Sequence, residues 1–215
     1  MSLAWSVYCQ RVCRKEIESP AHPPVKSCAL DLVAKTMFII AEYRLEHKEE
    51  MSLFTESSEA VPPCPICGGL LHYRDTRKRI FRQEGGQTEW ILVRRFRCES
   101  CRRYHTELPD CLTPYKHYGT EIICGVIDGI VTADDVDSEQ YPSEITMERW
   151  KEWARQNSAN MEGHLYRAAD RIAGNKAGSS VGRFLEELKQ RTARWLEAVL
   201  RIIYNSGGYL VPLRI

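Results

Sequence analysis

The chain has 215 residues, 43% hydrophobic and 27% charged, with a formal net charge of +1. This is ordinary globular composition, enough for one sizeable domain or two small ones. The near-zero balance excludes recruitment to nucleic acid or membrane by overall charge, so electrostatics have to be read segment by segment. The longest apolar run, Met37 to Ala41, falls far short of the roughly 20 residues that cross a bilayer. Nine cysteines with no basic-plus-apolar leader predict a cytoplasmic protein whose thiols are reduced, so paired Cys-x-x-Cys is read first as a metal motif.

In chain order, Pro20-Ala-His-Pro-Pro24 is an irregular link. Residues 27–50, opening on the N-cap Ser27, place Leu30, Val33, Met37, Ile40 and Leu45 near helical spacing and predict one amphipathic helix. Thr55 to Pro63 is a polar, proline-ended linker. Strand patterns then follow at Leu70–Tyr73, Arg79–Arg82 and Trp90–Arg97, with Gly85 and Gly86 in a hairpin turn and a last strand over Arg103–Leu108. Helical spacing returns with Ile122, Ile123, Val126, Ile127 and Ile130. A second helix opens at Tyr141-Pro-Ser-Glu and runs through Trp150 and Trp153 to about Gln156. Gly174–Gly182 reads as a loop, and Val181–Tyr204 as one strong amphipathic helix stopped by Asn205-Ser-Gly-Gly208. The expected class is α+β, a small antiparallel zinc-ribbon sheet flanked by an N-terminal helix and a C-terminal, helix-turn-helix-like region. The expected divisions are 1–60, a helical segment and linker; 61–117, the ribbon; 118–158, the helix-turn-helix-like part; and 159–215, further helices.

The chemistry resides in Cys64-Pro-Ile-Cys67-Gly-Gly and Cys98-Glu-Ser-Cys101-Arg-Arg. A two-residue spacer lets two thiolates of one turn face one ion, and two such knuckles supply the four tetrahedral ligands zinc prefers. The long separation is filled by the predicted hairpin. One structural Zn2+ on Cys64, Cys67, Cys98 and Cys101 is therefore expected, against the alternatives of two disulfides or buried, unligated thiols. A closed four-thiolate site has no open coordination position and so holds structure without performing catalysis. His72 and His105 are read as ordinary strand residues, and Cys111 and Cys124 as small buried hydrophobes. Cys9, Cys13 and Cys28, with His22, are a weaker second cluster.

The ribbon is also basic. Between Arg74 and Arg103 lie ten Lys or Arg and four Asp or Glu, enough to neutralise several phosphates. Arg77, Lys78, Arg79, Arg94, Arg95, Arg97, Arg102 and Arg103 are the candidate nucleic-acid contacts, with a solvated sheet face as the alternative. Residues 119–160 are by contrast acidic, three basic against nine acidic.

Cys-Pro-x-Cys-Gly-Gly, then Arg-x-Arg-Cys-x-x-Cys-Arg-Arg-Tyr-His and Leu-Pro-Asp-x-Leu-x-Pro-Tyr-Lys before an apolar helix, resembles the N-terminal zinc ribbon and helix-turn-helix of bacterial insertion-element transposases. Closest in pattern is a family of uncharacterised bacterial proteins, related to mobile elements, that carry this ribbon without a nuclease domain. The resemblance covers about residues 62–156 and implies DNA binding. It further implies that Pro142–Trp153 is a recognition helix, with Thr146, Arg149 and Lys151 facing base edges. Glu144, Glu148 and Glu152 recur every four residues along that helix, a charge pattern that repels phosphate.

No run of strands follows residue 156, so there is no room for the RNase-H-like sheet on which a transposase gathers three carboxylates around two metals. Asp134, Asp135 and Asp137 read as caps and solvated charge. The expectation is a non-enzyme with no small-molecule substrate and no membrane partner: a zinc-dependent DNA-binding accessory or regulatory protein. The alternatives are a ribbon adaptor that binds another protein, and the DNA-binding subunit of a transposase catalysed by a separate chain. In either, the C-terminal helix could dock a partner or self-associate.

Overall fold

The computed structural model describes residues 36–49, 52–57, 60–83, 87–135, 142–173 and 183–212. The six strands are β1 (Thr36–Ile40), β2 (Tyr43–Glu49), β3 (Ser52–Ser57), β4 (Leu71–Arg82), β5 (Thr88–Cys98) and β6 (Tyr104–Pro109). Among the described residues four helices follow the strands: α1 (Thr120–Ile127), α2 (Glu144–Ala173), α3 (Phe184–Arg191) and α4 (Trp195–Asn205). The class is α+β, as expected.

The organising element is β5. Along one edge it pairs antiparallel with β4 over its whole length. On its other edge it pairs parallel with β3 through Trp90–Leu92 and antiparallel with β6 through Arg95–Arg97. Side chains of a strand alternate between faces, and β5 changes which face it buries halfway along. Ile91 and Val93 are fully buried on one face, whereas Phe96 and Cys98 are buried on the other. The first pair belongs to the main core, with Met37, Ile39, Phe81 and Leu108 beneath the helices. Phe96 belongs to a second, small core with Phe38 and Ile40, which Tyr43 and Leu71 flank.

This arrangement explains why the expected helix over residues 27–50 is not what forms over residues 36–49. Met37 and Ile39 enter the helical core while Phe38 and Ile40 enter the opposite one, so the strand is buried on both faces. A strand of that kind is a continuous apolar run with no alternation to betray it. It pairs parallel with β6, Thr36 opposite His105 and Ile40 opposite Pro109. Residues 27–35 of the expected helix lie outside the described residues, as do Gly85 and Gly86 of the expected hairpin tip. The sheet is accordingly mixed, whereas a wholly antiparallel one was expected; only β4–β5–β6 and β2–β3 are antiparallel. The two short strands expected at 70–73 and 79–82 are one strand, interrupted by an irregularity between Tyr73 and Asp75.

β1 is the terminal strand of the order β1-β6-β5-β3-β2, and its outer edge is met by a side chain. Asn205 accepts from the N–H of Ile39 at 2.7 Å and donates to its carbonyl at 2.9 Å, as the peptide of a further strand would. α4 thereby packs against β1, with Trp195, Leu196, Val199, Leu200, Ile203 and Tyr204 buried.

Two helices differ from expectation. α2 continues from Glu144 to Ala173, 30 residues or about 45 Å, well past Gln156. Its polar middle is used in tertiary contacts: the Asn157 amide donates to the carbonyls of Trp153 and Val211 and accepts from the Val211 N–H. The expected single helix over 181–204 is two helices, broken where Thr192 adopts an extended backbone. The N–H groups of Phe184 and Leu185 at the start of α3 are satisfied by Glu162, reaching across from α2, which supplies the cap that Arg183 cannot.

Candidate metal centre and its basic surroundings

The first knuckle precedes β4 and the second links β5 to β6, so pairing of these strands brings both to one end of the sheet. In the first, the Gly68 N–H donates to the Cys64 carbonyl at 2.8 Å and the Cys64 N–H to the Gly69 carbonyl at 2.8 Å. Closing this turn requires a left-handed residue, and Gly68 supplies it at φ +73°. In the second, Arg102 takes the equivalent position at φ +61°, a conformation that costs a residue with a Cβ about 1 kcal/mol. Gly69 is required for a different reason: a Cβ there would stand 3.2 Å from the Cys98 sulfur and run into the Ser100 side chain. The second glycine of Cys-x-x-Cys-Gly-Gly is what lets the knuckles approach.

The four sulfurs of Cys64, Cys67, Cys98 and Cys101 lie within 4.8 Å of one another. Cys64 and Cys101 are 3.8 Å apart, Cys67 and Cys98 3.5 Å. These separations exclude disulfides, whose sulfurs sit about 2.05 Å apart. They match the edge of a tetrahedron with metal–sulfur bonds of about 2.3 Å, which is about 3.8 Å. The four residues could therefore hold a single thiophilic ion. Their ionisation is poised against a neutral state: burial raises the Cys98 thiol, but N–H groups of Cys101 and Ser100 and the neighbouring thiols outweigh it and bring it down to about 6. Burial, together with the adjoining sulfurs, pushes Cys101 up to about 12. Four crowded sulfurs cannot all ionise unaided, and a bound cation removes that conflict.

One residue that sequence reasoning set aside belongs to the site. His105, fully buried, places Nε2 3.3 Å from the Cys64 sulfur. Burial, then the charge of Arg103, lowers its pKa, which keeps the ring neutral and able to donate one N–H to sulfur. The signal available was its position in β6, one residue past Tyr104 and so on the inward face. His72, by contrast, is exposed and 3.1 Å from Glu99. Cys124 is buried as expected, its thiol 3.3 Å from the Ala193 carbonyl, and Cys111 is half-buried. Cys9, Cys13, Cys28 and His22 lie outside the described residues.

The candidate nucleic-acid contacts divide into two groups. Arg94 is bound bidentately by Glu107, at 2.6 and 2.7 Å, with the carboxylate 2% exposed. Arg95 is likewise held by Asp75. Arg79 is half-buried, with Nη2 3.5 Å from the Lys116 carbonyl. These three brace the sheet, and sequence could not reveal it because their partners stand on other strands or loops. Arg77, Lys78, Arg97 and Arg102 are exposed, with no carboxylate partner among the described residues; Arg103 is also exposed. Thr146 is half-buried in the first turn of α2, its hydroxyl 3.0 Å from that of Ser143. Arg149 is exposed, and Lys151 pairs with Glu148 at 2.9 Å. Trp150 and Trp153 are buried, so this end of α2 is anchored in the core. Asp135 accepts from the Thr132 N–H at 2.7 Å across a turn, and Asp137 lies outside the described residues.

A family model described as a domain of unknown function (DUF6431) matches residues 64–150. The similarity thus begins on the first cysteine of the site and ends on Trp150, covering both knuckles, β4 to β6, α1 and the start of α2. No curated protein and no solved structure matches. Among the described residues no helix is long and apolar enough to cross a membrane.

Proposed function

We propose that the chain is a zinc-dependent DNA-binding accessory or regulatory protein of the mobile-element type, in which the ribbon contacts nucleic acid and no nuclease chemistry is carried. Zinc is the ion that best suits four cysteine sulfurs at tetrahedral spacing, since a single closed S4 site with no redox demand is its usual structural use. The ribbon then serves as a rigid mount. The observation that carries the reading is the exposed set Arg77, Lys78, Arg97 and Arg102, uncompensated by any described carboxylate, beside arginines that are fully compensated.

The start of α2 is a poorer candidate for reading base edges. Lys151 is neutralised by Glu148, and Arg155 by Glu152, while the tryptophans that would steer the helix are committed to the core. Docking of a protein through α4 has equally little support, because its apolar face is already buried within the chain. Arg77 and Lys78 are consecutive on β4 and face opposite ways, so at most three of the four meet one ligand; at one phosphate each, affinity falls with a logarithmic salt slope of about −2.7, or roughly a hundredfold between about 50 and about 300 mM salt. Measuring zinc-loaded protein on random-sequence nucleic acid at those concentrations tests the reading, and salt-independent or absent binding overturns it.

A further inference from the structure

The main core covers the sheet face bearing Ile91, Val93 and Met37 but leaves the last row, His72, Arg97 and Tyr104, exposed. On that same face β5 continues with Arg95 and Arg97. In the last row His72, Arg97 and Tyr104 stand side by side on β4, β5 and β6. Tyr104 is 45% exposed. Two guanidiniums are drawn to its ring, that of Arg74, whose Nε also lies 3.6 Å from Asp75, at 4.4 Å from the centroid and that of Arg97, which has no carboxylate partner among the described residues, at 5.8 Å. The irregularity of β4 falls at Arg74, the residue between the paired Tyr73 and Asp75, and it brings Asp75 onto this face opposite Arg95 while leaving Arg74 unpaired beside the ring. Arg95, held by Asp75, makes a fixed floor between them.

We infer that this end of the sheet is a platform for an unpaired nucleic-acid strand, its bases stacking on Tyr104 and the guanidinium planes while its phosphates meet Arg74 and Arg97. The inference rests on the nucleic-acid reading above and assigns the class of ligand. Cationic charge with an exposed aromatic ring between is the combination that holds single strands, since every base offers a π-face. A duplex fits the same surface poorly. The face spans β4, β5, β6 and β1, about 14 Å between outer strand axes before side chains are added, and so cannot enter a major groove about 12 Å wide. The opposite end of the β4–β5 pairing, at Arg82 and Thr88, lies far along the strands from Tyr104.

The test is fluorescence anisotropy with the full zinc-loaded chain and a labelled mixed-sequence strand of about 20 nucleotides, free or annealed to its complement. The single strand should bind at least about tenfold tighter than the duplex. Tyr104→Ala should weaken single-strand binding about 5- to 150-fold, whereas Tyr104→Phe, which keeps the stacking face, should stay within about twofold. Metal content and melting temperature report whether the variants fold. Should Tyr104→Ala not fold, Arg97→Gln, a change at an exposed position, is expected to weaken the single strand more than the duplex. Preferential duplex binding, or a folded Tyr104→Ala that binds as the parent does, overturns the platform and leaves the general reading standing. Salt-independent binding, or none to either form, overturns both.

Discussion

Removing the metal is the perturbation with the largest expected effect. Metal binding contributes on the order of 10 kcal/mol to zinc-finger folding, comparable with the whole stability of a domain, about 5–15 kcal/mol. Here the sheet also rests on a helical core with Trp150, Trp153, Trp195 and Leu196 buried, so only part of the metal's contribution reaches the global transition. The portion directly dependent on the site comprises both knuckle turns and the small core of Phe38, Ile40 and Phe96. Two or three such side chains losing their packing already amounts to several kcal/mol. At about 2–4 °C per kcal/mol for a chain of this size, chelation should lower the melting temperature by at least about 10 °C. Circular dichroism melts with and without chelator, alongside metal content by mass spectrometry, measure this. Tryptophan emission of a Trp5→Phe, Trp90→Phe variant distinguishes local from global loss, because the remaining Trp150, Trp153 and Trp195 all lie in the helical core. A metal-free protein that melts within about 2 °C of the loaded form would refute the placement of stability in the four sulfurs.

Substitutions at three positions probe the surroundings. His105→Ala should weaken metal affinity about 10- to 100-fold, since it removes a group that fixes a ligand, and competition against a chromophoric chelator reads it; an unchanged affinity would leave His105 as mere filling. Arg102→Gly relieves the left-handed backbone and should raise stability by up to about 1 kcal/mol, whereas Arg102→Val should lower it by more; urea melts that rank the two the other way would contradict the turn geometry. Tyr43→Phe removes a hydroxyl that donates to Asp110 at 3.0 Å and accepts from the Cys111 N–H at 3.3 Å. Burial holds that phenol well above its ordinary ionisation range, so it remains a neutral donor, and its loss should cost about 1–3 kcal/mol by equilibrium unfolding.

What the sequence disclosed was local. The cysteine knuckles, the glycine turn after the first of them, β5 and the stripes of α1 and α4 all announce themselves within ten or so residues, because spacing along the chain sets their geometry. What it concealed was two-sided or distant. Met37 to Ile40 imitates helical spacing because both faces of β1 are buried. Arg94 and Arg95 look like free cations because Glu107 and Asp75 reach them from neighbouring strands. His105 looks like any strand residue until the knuckle folds over it. The break at Thr192 is likewise set from outside, where Trp195 donates to Asp128 at 2.8 Å and Glu162 fixes the start of α3, contacts with no trace in helical periodicity.

The coupling between metal centre and helices follows from a glycine at the opposite end of the chain. After α4 the backbone turns at Gly207, with φ +78°, and a Cβ there would stand 2.5 Å from the Pro65 carbonyl oxygen inside the first knuckle. Backbone thus meets backbone, and neither side can yield as a flexible side chain would. Two residues earlier, Asn205 is bonded to both backbone groups of Ile39, next to Phe38 and Ile40 of the small core. The same turn therefore touches the knuckle and the strand that borders it. An ion that ordered Cys64 and Cys67 would act on the end of α4 through the contact with Gly207 and through the β1 hydrogen bonds. For this reason metal binding, although it concerns one end of the sheet, is expected to steady the turn that ends α4 as well as the knuckles, while the rest of the helical core keeps its own stability.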